Sequence, residues 1–402
     1  PCLVPLVQRS ARADDVGRGH FGGGQTLLRG LERTNNMRKT AAWPLAWIYA
    51  VLIIYASLYP FESWRVQGIA PWSFLWAPLP KYWTGFDVLS NVLGYAPLGF
   101  LLALALHRTR RDWPGILIAT LVAMALSLSM ETLQMFLPVR VPSNVDAVLN
   151  VVGAWLGAVT ARTLAWVGLI ERWSRFRDRW FISDAGGALV LLAVWPMALL
   201  FPVPVAFGLG QVLERVEAAL ADVLVGTPWL EWMPLREVEL QPLLPISEML
   251  CVAIGLCLPC WLAFSVLRET RQRILAALAL LILGVAASAL SAALTYGPVH
   301  AWGWISDEVA IGLCVAAFGV VGLIFASARM CLVMALVALV WQMSLLNNAS
   351  ADAYFTLTLQ TWERGQFIRF HGLIQWMGWL WPYATFIHLV RRLSSAKSMV
   401  MG

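Results

Sequence analysis

The stretch DVLSNVLGYAPLGFLLALAL, residues 87–106, decides the fold of this chain. It is long and apolar enough to cross a bilayer, since roughly 20 such residues in a helix span the hydrocarbon core. Yet it contains an acid and an amide, Asp87 and Asn91. Placing an Asp in the middle of a spanning helix costs about 2.5–3.5 kcal/mol, so polar residues there tend to be paired or to line a cavity. The stretch therefore predicts a membrane helix that carries part of a polar site.

The composition places the whole chain in the same class. Of the 402 residues, 59% are hydrophobic and 13% are charged, which is far from the average of soluble domains. Apolar runs of spanning length recur about ten times, so we predict an all-α, polytopic transmembrane bundle with an internal repeat of a four-helix unit. The predicted spans are residues 42–60, 87–106, 116–137, 146–168, 187–206, 246–267, 274–295, 308–327, 330–346 and 373–390.

Residues 1–36 differ from the rest of the chain. They are rich in Gly and Arg and contain no long apolar run, whereas Met37 directly precedes the first predicted span. We interpret residues 1–36 as a disordered or mis-assigned extension. The first apolar run is long enough to span the membrane, which argues against a cleavable signal peptide.

The basic residues predict the orientation of the chain. Alternate connections between spans carry most of them, and by the positive-inside rule these connections and both termini face the cytoplasm. Because the basic residues are spread between apolar runs, they form no nucleic-acid surface, and the predicted partner is the lipid bilayer. The residues on the basic side are Arg38, Lys39, Arg108, Arg110, Arg111, Arg172, Arg175, Arg177, Arg179, Arg268, Arg271, Arg273, Arg329, Arg391, Arg392 and Lys397.

Two connections on the opposite side have interfacial character. Residues 211–224 place an apolar face opposite a charged one, which favours a helix lying on the membrane surface, with a solvated connector as the alternative. Residues 61–86 are rich in tryptophan, whose amphipathic ring favours the membrane–water boundary. The tryptophans are Trp64, Trp72, Trp76 and Trp83.

The acids and amides of three neighbouring spans share a spacing. Asp87 and Asn91 are separated by one helical turn, as are Asp146 and Asn150, so each pair lies on one face of its helix. Helix capping explains each Asp taken singly. It does not explain Glu131, which lies roughly 10 Å from the end of its span. We therefore group these residues as a polar cluster: Asp87, Asn91, Glu131, Gln134, Arg140, Asp146 and Asn150.

We predict that the polar cluster forms an outward-facing pocket, with a purely structural polar knot as the alternative. Small residues should let the helices approach closely, and they are Gly94, Gly99, Gly153 and Gly157. The candidates for acid–base chemistry are Glu131, Asp87 and Asp146, and those for binding are Arg140, Asn91, Gln134 and Asn150. Three carboxylates beside Arg140 are a poor divalent-cation site. No nucleotide-binding, zinc-protease or hydrolase motif is present, so we predict no metal and no cofactor.

The same motifs resemble those of the VanZ-like family over roughly residues 45–165. The resemblance rests on D-x3-N-x2-G at 87–94 with P-L-G-F after it, on E-x2-Q-x3-P-x-R at 131–140, and on D-x3-N-x2-G-x3-G at 146–157. At Ser143-Asn144 the chain departs from the acidic or small residue that the family often has. The family takes its name from a protein linked to low-level glycopeptide (teicoplanin) resistance. The resemblance implies a cell-envelope role and no particular reaction.

A second, weaker copy of the first four spans is predicted over residues 187–327. In that alignment Glu248 corresponds to Asp87, His300 to Arg140 and Asp307 to Asp146, while the counterpart of Glu131 is a serine. The loss of the paired acids indicates that the first copy carries the site. The predicted organisation is thus a VanZ-like domain at 37–170, the degenerate repeat at 187–327, and two further spans with a short cytoplasmic tail at 328–402.

These observations favour a protein that binds or modifies an envelope lipid or a lipid-linked cell-wall precursor. Arg140 would hold an anionic headgroup, and Glu131 would be the first candidate for acid–base chemistry. A transporter or proton-coupled carrier is one alternative, because intramembrane acids can relay protons. A structural membrane scaffold is the other.

Overall fold

The structure is a computed structural model that describes residues 42–59, 61, 63–79, 84–108, 113–232, 242–349 and 371–398. The regular elements within these ranges are helices, which confirms the predicted all-α class. Residues 1–36 and Trp83 lie outside the described residues, so the interpretation of the N-terminal extension stays a prediction.

Contacts divide the chain into two compact units, one of which ends at Trp166 while the other continues from Val167 and also takes in Tyr55–Tyr59. The helices of the first unit are α1 (Ala42–Leu58), which also reaches into the second, α2 (Gly85–Arg108), α3 (Trp113–Gln134) and α4 (Asn144–Trp166). Those of the second unit are α5 (Leu169–Trp180), α6 (Gly186–Ala198), α7 (Leu213–Leu224), α8 (Pro245–Phe264), α9 (Thr270–Tyr296), α10 (Asp307–Leu323), α11 (Ala328–Asn347) and α12 (His371–Ser398).

Six of these helices, α2, α3, α4, α8, α9 and α11, are long and apolar enough to cross a membrane. Helices α1 and α6 are apolar but shorter. The chain is therefore a multi-pass membrane protein, as its composition predicts. The total of about ten spans stays a prediction.

In the first unit, α2 and α4 pack directly against each other. A methyl group added to Gly153 would overlap the backbone carbonyl of Val92, and one added to Gly157 would overlap that of Ala96. Gly157 follows Gly153 by one turn of α4, and Ala96 follows Val92 by one turn of α2. The two helices therefore run in the same direction. A methyl group on Gly99 would likewise meet the backbone of α4. The predicted close approach through small residues is confirmed at these three glycines.

Gly94 does not take part in this close approach, so its predicted role is wrong. No heavy atom outside its own helix backbone lies within 4 Å of the position that a Cβ on Gly94 would occupy. The physical reason is the helical period, which places Val92 and Ala96 toward α4 and Gly94 on the opposite side of α2. The Gly94 carbonyl oxygen instead accepts a hydrogen bond of 3.0 Å from the Tyr49 hydroxyl of α1.

In the second unit, α8 is the central helix. Every residue from Cys251 to Phe264 is buried, and α6, α9, α10 and α11 all pack against it. This helix is apolar on all sides, as expected for a helix surrounded by others. Its backbone is also contacted by a buried amide, because Gln342 of α11 donates a hydrogen bond of 2.9 Å to the carbonyl oxygen of Cys251.

The predicted span over residues 187–206 is wrong at its C-terminal end, because α6 stops at Ala198 and residues 199–212 form an irregular segment. Pro202 and Pro204 lack the backbone N–H that a continued helix would need. Phe207 and Gly210 have left-handed backbones, with φ of 60° and 94°. The chain therefore leaves the helical path before the predicted end of the span.

The C-terminal end of the irregular segment is bound by an amide side chain of α11. Asn347 Oδ1 accepts hydrogen bonds from the backbone N–H groups of Val212 and Leu213, both at 3.1 Å. Its Nδ2 donates to the carbonyl oxygens of Gly210 at 3.2 Å and of Met343 at 2.9 Å. Backbone that leaves a helix in apolar surroundings needs such partners, because little water is present to replace them. Asn347 therefore supplies hydrogen-bond partners to backbone groups at this end of the irregular segment, which in a continued helix would bond to each other.

Helix α7 confirms the helix that the pattern of residues 211–224 predicts. Its apolar residues are exposed, including Val216 at 52% and Val223 at 76%. These apolar side chains are therefore not buried by the rest of the chain that the structure describes. Its location on the outer membrane surface stays a prediction.

Candidate functional site

The first acid of the polar cluster, Asp87, begins α2 in a reciprocal cap with Thr84. Its Oδ2 accepts hydrogen bonds from the Thr84 backbone N–H at 3.0 Å and from the Thr84 hydroxyl at 2.8 Å. The Asp87 backbone N–H in turn donates to Thr84 Oγ1 at 3.2 Å. Such a cap satisfies amides that the first helical turn cannot pair. Asp87 thus takes part in a helix cap, the role that the sequence allows for it when it is considered singly, and its predicted role in the site stays a prediction.

One turn further along α2, Asn91 joins α2 to α4. Its Nδ2 donates a hydrogen bond of 2.9 Å to Oδ1 of Asp146, which lies in the first turn of α4. Asp146 also interacts electrostatically with Asp87. Because α2 and α4 are parallel, their two acids lie at the same end of the helix pair. The two pairs thus meet through Asn91 and the two acids, whereas Asn150 bonds to α3.

Glu131 of α3 is the most deeply buried acid of the cluster, with 4% of its surface exposed. Its Oε2 accepts a hydrogen bond of 2.9 Å from the backbone N–H of Ser143, just before α4. The carboxyl group also interacts electrostatically with Asp146. The cluster therefore brings three carboxyl groups together in one electrostatic neighbourhood, which is costly unless they are protonated or bind a positive or hydrogen-bonding group.

Asn150 ties α4 to α3 deeper in the same unit. Its Nδ2 donates a hydrogen bond of 3.0 Å to the hydroxyl of Ser127, and both side chains are buried. Sequence reasoning missed Ser127. The signal was available, because Ser127, Glu131 and Gln134 fall at i, i+4 and i+7 and so share one face of α3.

Tyr95 is the second residue that sequence reasoning missed. It lies one turn beyond Asn91 on α2 and is 5% exposed. Its hydroxyl is close to Ser127 and interacts electrostatically with Glu131, yet it makes no hydrogen bond of standard geometry. Continuing the spacing from Asp87 through Asn91 would have reached it.

Among the described residues, Asn150 Oδ1 is buried without a hydrogen-bond partner, and the buried Tyr95 hydroxyl has only Ser127 near it, at a geometry poorer than that of a standard hydrogen bond. Leaving a buried polar group unpaired costs about 1–3 kcal/mol, so native proteins rarely keep such groups without a reason. Hydrogen bonding within the polar cluster is therefore incomplete at Asn150. The arrangement can accept a ligand group that donates to Asn150 and pairs with the Tyr95 hydroxyl.

The remaining two members of the polar cluster lie toward the connection between α3 and α4. Gln134 ends α3 and Arg140 follows it in the connection, and both side chains are half-buried. Burial lowers the pKa of the Arg140 guanidinium, because loss of solvent disfavours its charged form. An anionic group bound beside Arg140 would offset that loss of hydration.

The tryptophan-rich segment 61–79 is tied to this connection. The backbone N–H of Arg65 donates to the carbonyl oxygen of Phe136 at 3.0 Å, and Gln67 Nε2 donates to that of Met135 at 2.8 Å. Trp72 and Trp76 of the same segment are 55% and 86% exposed. The connection next to the polar cluster is thus held beside a set of exposed indole rings.

The second unit contains a separate cleft of about 650 Å³. Glu248 and His300 both line it, as does Ser291. The hydroxyl of Ser291 donates to the carbonyl oxygen of Leu200 at 3.0 Å and so has a structural partner. Asp307 is exposed in the first turn of α10. In the described parts of both units, no three His, Cys, Asp or Glu side chains lie close enough to hold a metal ion.

Residues 31–166 match the model of the VanZ/LLP1 family, which confirms the resemblance that the motifs of α2, α3 and α4 predict. The match covers the whole polar cluster. No curated protein and no solved structure matches the chain.

Proposed function

We propose that this chain, whose residues 31–166 are VanZ-like, binds or modifies an envelope lipid or a lipid-linked cell-wall precursor at the polar cluster. Through that ligand it would affect the resistance of the cell envelope to glycopeptide antibiotics. The cluster would face the outer leaflet of a bacterial inner membrane, with both termini in the cytoplasm, as the distribution of basic residues predicts.

The observation that carries this proposal is a set of incompletely paired buried atoms among the described residues: Asn150 Oδ1 has no hydrogen-bond partner, and Tyr95 Oη, which interacts with the buried carboxyl group of Glu131, has only a poorly aligned contact with Ser127. A cluster that only held helices together would gain stability by pairing these atoms. A binding site has a reason to keep them unpaired, because the ligand supplies the missing hydrogen bonds. Hydroxyl and amide groups, such as those of sugars and peptides in cell-wall precursors, can do so.

Arg140 supplies the second part of the argument. A guanidinium that has lost part of its hydration interacts favourably with phosphate or carboxylate, and its planar shape allows two parallel hydrogen bonds. Polyisoprenyl-phosphate carriers and phospholipids both offer such a group at the membrane surface, with the apolar chain in the bilayer. This combination of an anionic head, hydrogen-bonding groups and an apolar tail defines the ligand class.

In a reaction at this site, Glu131 would act on a proton of the ligand. Asp87 is engaged by Thr84, and Asp146 is engaged by Asn91. The Glu131 carboxyl group accepts a hydrogen bond from the backbone N–H of Ser143, which fixes its orientation. The donor in that hydrogen bond carries no positive charge. A general base needs such a fixed carboxylate within reach of the proton that it removes.

The test is growth of a strain that lacks the gene, complemented with wild type, Glu131→Gln or Arg140→Ala, under a glycopeptide antibiotic. Wild type is expected to restore resistance, whereas each variant loses at least about tenfold of the protection, since each substitution removes a charged interaction with the ligand. Glu131→Gln preserves the shape of the side chain and its ability to accept the Ser143 N–H, so a purely structural cluster would tolerate it.

Two matched control variants each remove one charge, acidic in one and basic in the other, from residues outside the polar cluster. Asp222→Asn on the exposed part of α7 and Arg329→Ala at the start of α11 should complement as wild type does. Membrane levels of each variant are compared by immunoblot. Full complementation by well-expressed Glu131→Gln and Arg140→Ala would contradict the proposal and assign the cluster to scaffolding.

A further inference from the structure

Helix α5, LIERWSRFRDRW, has one continuous apolar face. At 100° per residue, four side chains fall within one narrow stripe along the helix. The stripe consists of Leu169, Trp173, Phe176 and Trp180. Neighbouring rings within it contact each other, with centroids 5.6 Å apart for Trp173 and Phe176 and 4.9 Å apart for Phe176 and Trp180.

The charged residues of α5 are sorted around this stripe. Arg172 and Arg179 flank it on one side and Arg177 on the other, while Glu171 and Asp178 lie on the opposite face and Arg175 lies between Arg179 and Glu171. Arg177 forms an exposed ion pair of 3.3 Å with Asp178, so part of its charge is compensated. The uncompensated positive charge next to the aromatic stripe therefore comes mainly from Arg172 and Arg179.

Apart from Trp180, which packs against the core of the second unit, the apolar face of α5 has no extensive cover among the described helices. Trp173 is 57% exposed and Phe176 is 39% exposed. None of the residues of α5 is fully buried, and no other described helix packs along it. Exposed aromatic rings in a contiguous row mark a surface that a further partner covers.

The C-terminal end of α5 is fixed at the end of two spanning helices. The backbone N–H of Arg268 donates to the carbonyl oxygen of Trp180 at 3.2 Å. The backbone N–H of Ile182 donates to the carbonyl oxygen of Val266 at 3.0 Å. Arg268 Nε also donates to the carbonyl oxygen of Phe181 at 2.9 Å. Because residues 265–269 connect α8 to α9, this end of α5 lies where two candidate spans leave the membrane.

We infer that α5 lies on the membrane surface and binds the headgroups of anionic phospholipids. The aromatic stripe sits at the level of the span ends, where Trp and Phe rings enter the boundary between headgroups and acyl chains. Arg172 and Arg179 reach from the edge of the stripe to phosphate groups, and the acids on the opposite face point away from the negatively charged surface. A row of arginines beside apolar rings fits an anionic bilayer better than a soluble acidic partner, which would leave the rings without an apolar environment.

The test measures hydrogen–deuterium exchange of α5 in the full-length protein. The protein is reconstituted in nanodiscs of phosphatidylcholine alone or of phosphatidylcholine with phosphatidylglycerol. Amides of residues 169–180 are expected to exchange at least about fivefold more slowly in the anionic nanodiscs, because each arginine near an anionic surface contributes about that factor. In the double variant Arg172→Gln/Arg179→Gln this lipid dependence is expected to disappear.

The matched control is Arg271→Gln/Arg329→Gln, which removes two exposed arginines from the first turns of α9 and α11 on the basic side. It should keep the lipid dependence of α5. Exchange of α8 in each sample checks that the fold is intact. Equal exchange of α5 in the two lipids, or equal loss of the difference in both double variants, would overturn the inference.

Discussion

Asn347→Ala is expected to lower the free energy of unfolding by about 3 kcal/mol or more. The substitution removes the acceptor of two backbone N–H groups, from Val212 and Leu213, and the donor to the Gly210 carbonyl oxygen. Each buried group left unpaired costs about 1–3 kcal/mol, and a membrane interior offers little water as a replacement. Titration of the purified protein with SDS in mixed micelles, followed by tryptophan fluorescence, measures the change.

The neighbouring residue provides a matched control for this variant. Asn348 is exposed, and its amide donates only within its own helix end, to Ser344 at 2.9 Å. Asn348→Ala should therefore change the free energy of unfolding by no more than about 0.5 kcal/mol. Equal losses in the two variants would mean that the irregular segment is not held by Asn347.

Gly157→Ala is expected to destabilise the VanZ-like part of the chain by about 3 kcal/mol. Added methyl groups in a packed interface usually cost about 1–3 kcal/mol, and here the atom that the methyl group meets is the backbone carbonyl oxygen of Ala96. A backbone atom cannot move aside as a side chain can, so α2 and α4 must separate. Size-exclusion chromatography after heating the detergent-solubilised protein reports the loss of folded molecules.

Gly94→Ala is the control for this substitution, because it adds the same methyl group to α2 where no neighbouring atom lies within 4 Å. Alanine also favours a helix by about 1 kcal/mol over glycine. We expect the Gly94→Ala protein to be as stable as wild type or slightly more stable. If Gly157→Ala behaved in the same way, the close packing of α2 on α4 would be disproved.

The sequence was sufficient to predict the helical class, the helices of the VanZ-like part and most of the polar cluster. It predicted them because bilayer thickness sets the helix length and the helical period decides which side chains share a face. The same period contained the signals for Tyr95 and Ser127. Acids and amides stand out in an apolar span because inserting them is costly, whereas a hydroxyl costs little there and gives no such signal.

The hydrogen-bond partners within the cluster could not be predicted. Three acids and several amides allow many pairings, and the choice of Asp146 by Asn91 depends on the axial offset between α2 and α4. That offset follows from which glycine meets which backbone carbonyl in three dimensions. Spacing within one helix contains no information about it.

The irregular segment 199–212 was misread for a different reason. Its residues are as apolar as those of a span, so counting apolar residues extends α6 through them. Residues that disfavour a continued helix are nevertheless present in the sequence, namely Pro202 and Pro204 followed by Gly208 and Gly210. Hydropathy measures how apolar the side chains of a segment are, and it contains no information about the partners of the backbone hydrogen bonds. The proposed repeat over residues 187–327 stays a prediction.

The backbone contact between α2 and α4 has a mechanical consequence for the polar cluster. Helices that touch carbonyl to glycine cannot slide or rotate past each other without steric overlap, so Asn91 and Asp146 move as one rigid body. Helix α3 meets this pair through side chains, of which Ser127 and Glu131 are bonded to α4 and the residues before it. A displacement of α3 relative to this pair would therefore have to break the hydrogen bonds of Ser127 and Glu131, which fixes the buried carboxyl group relative to Asn91 and Asp146.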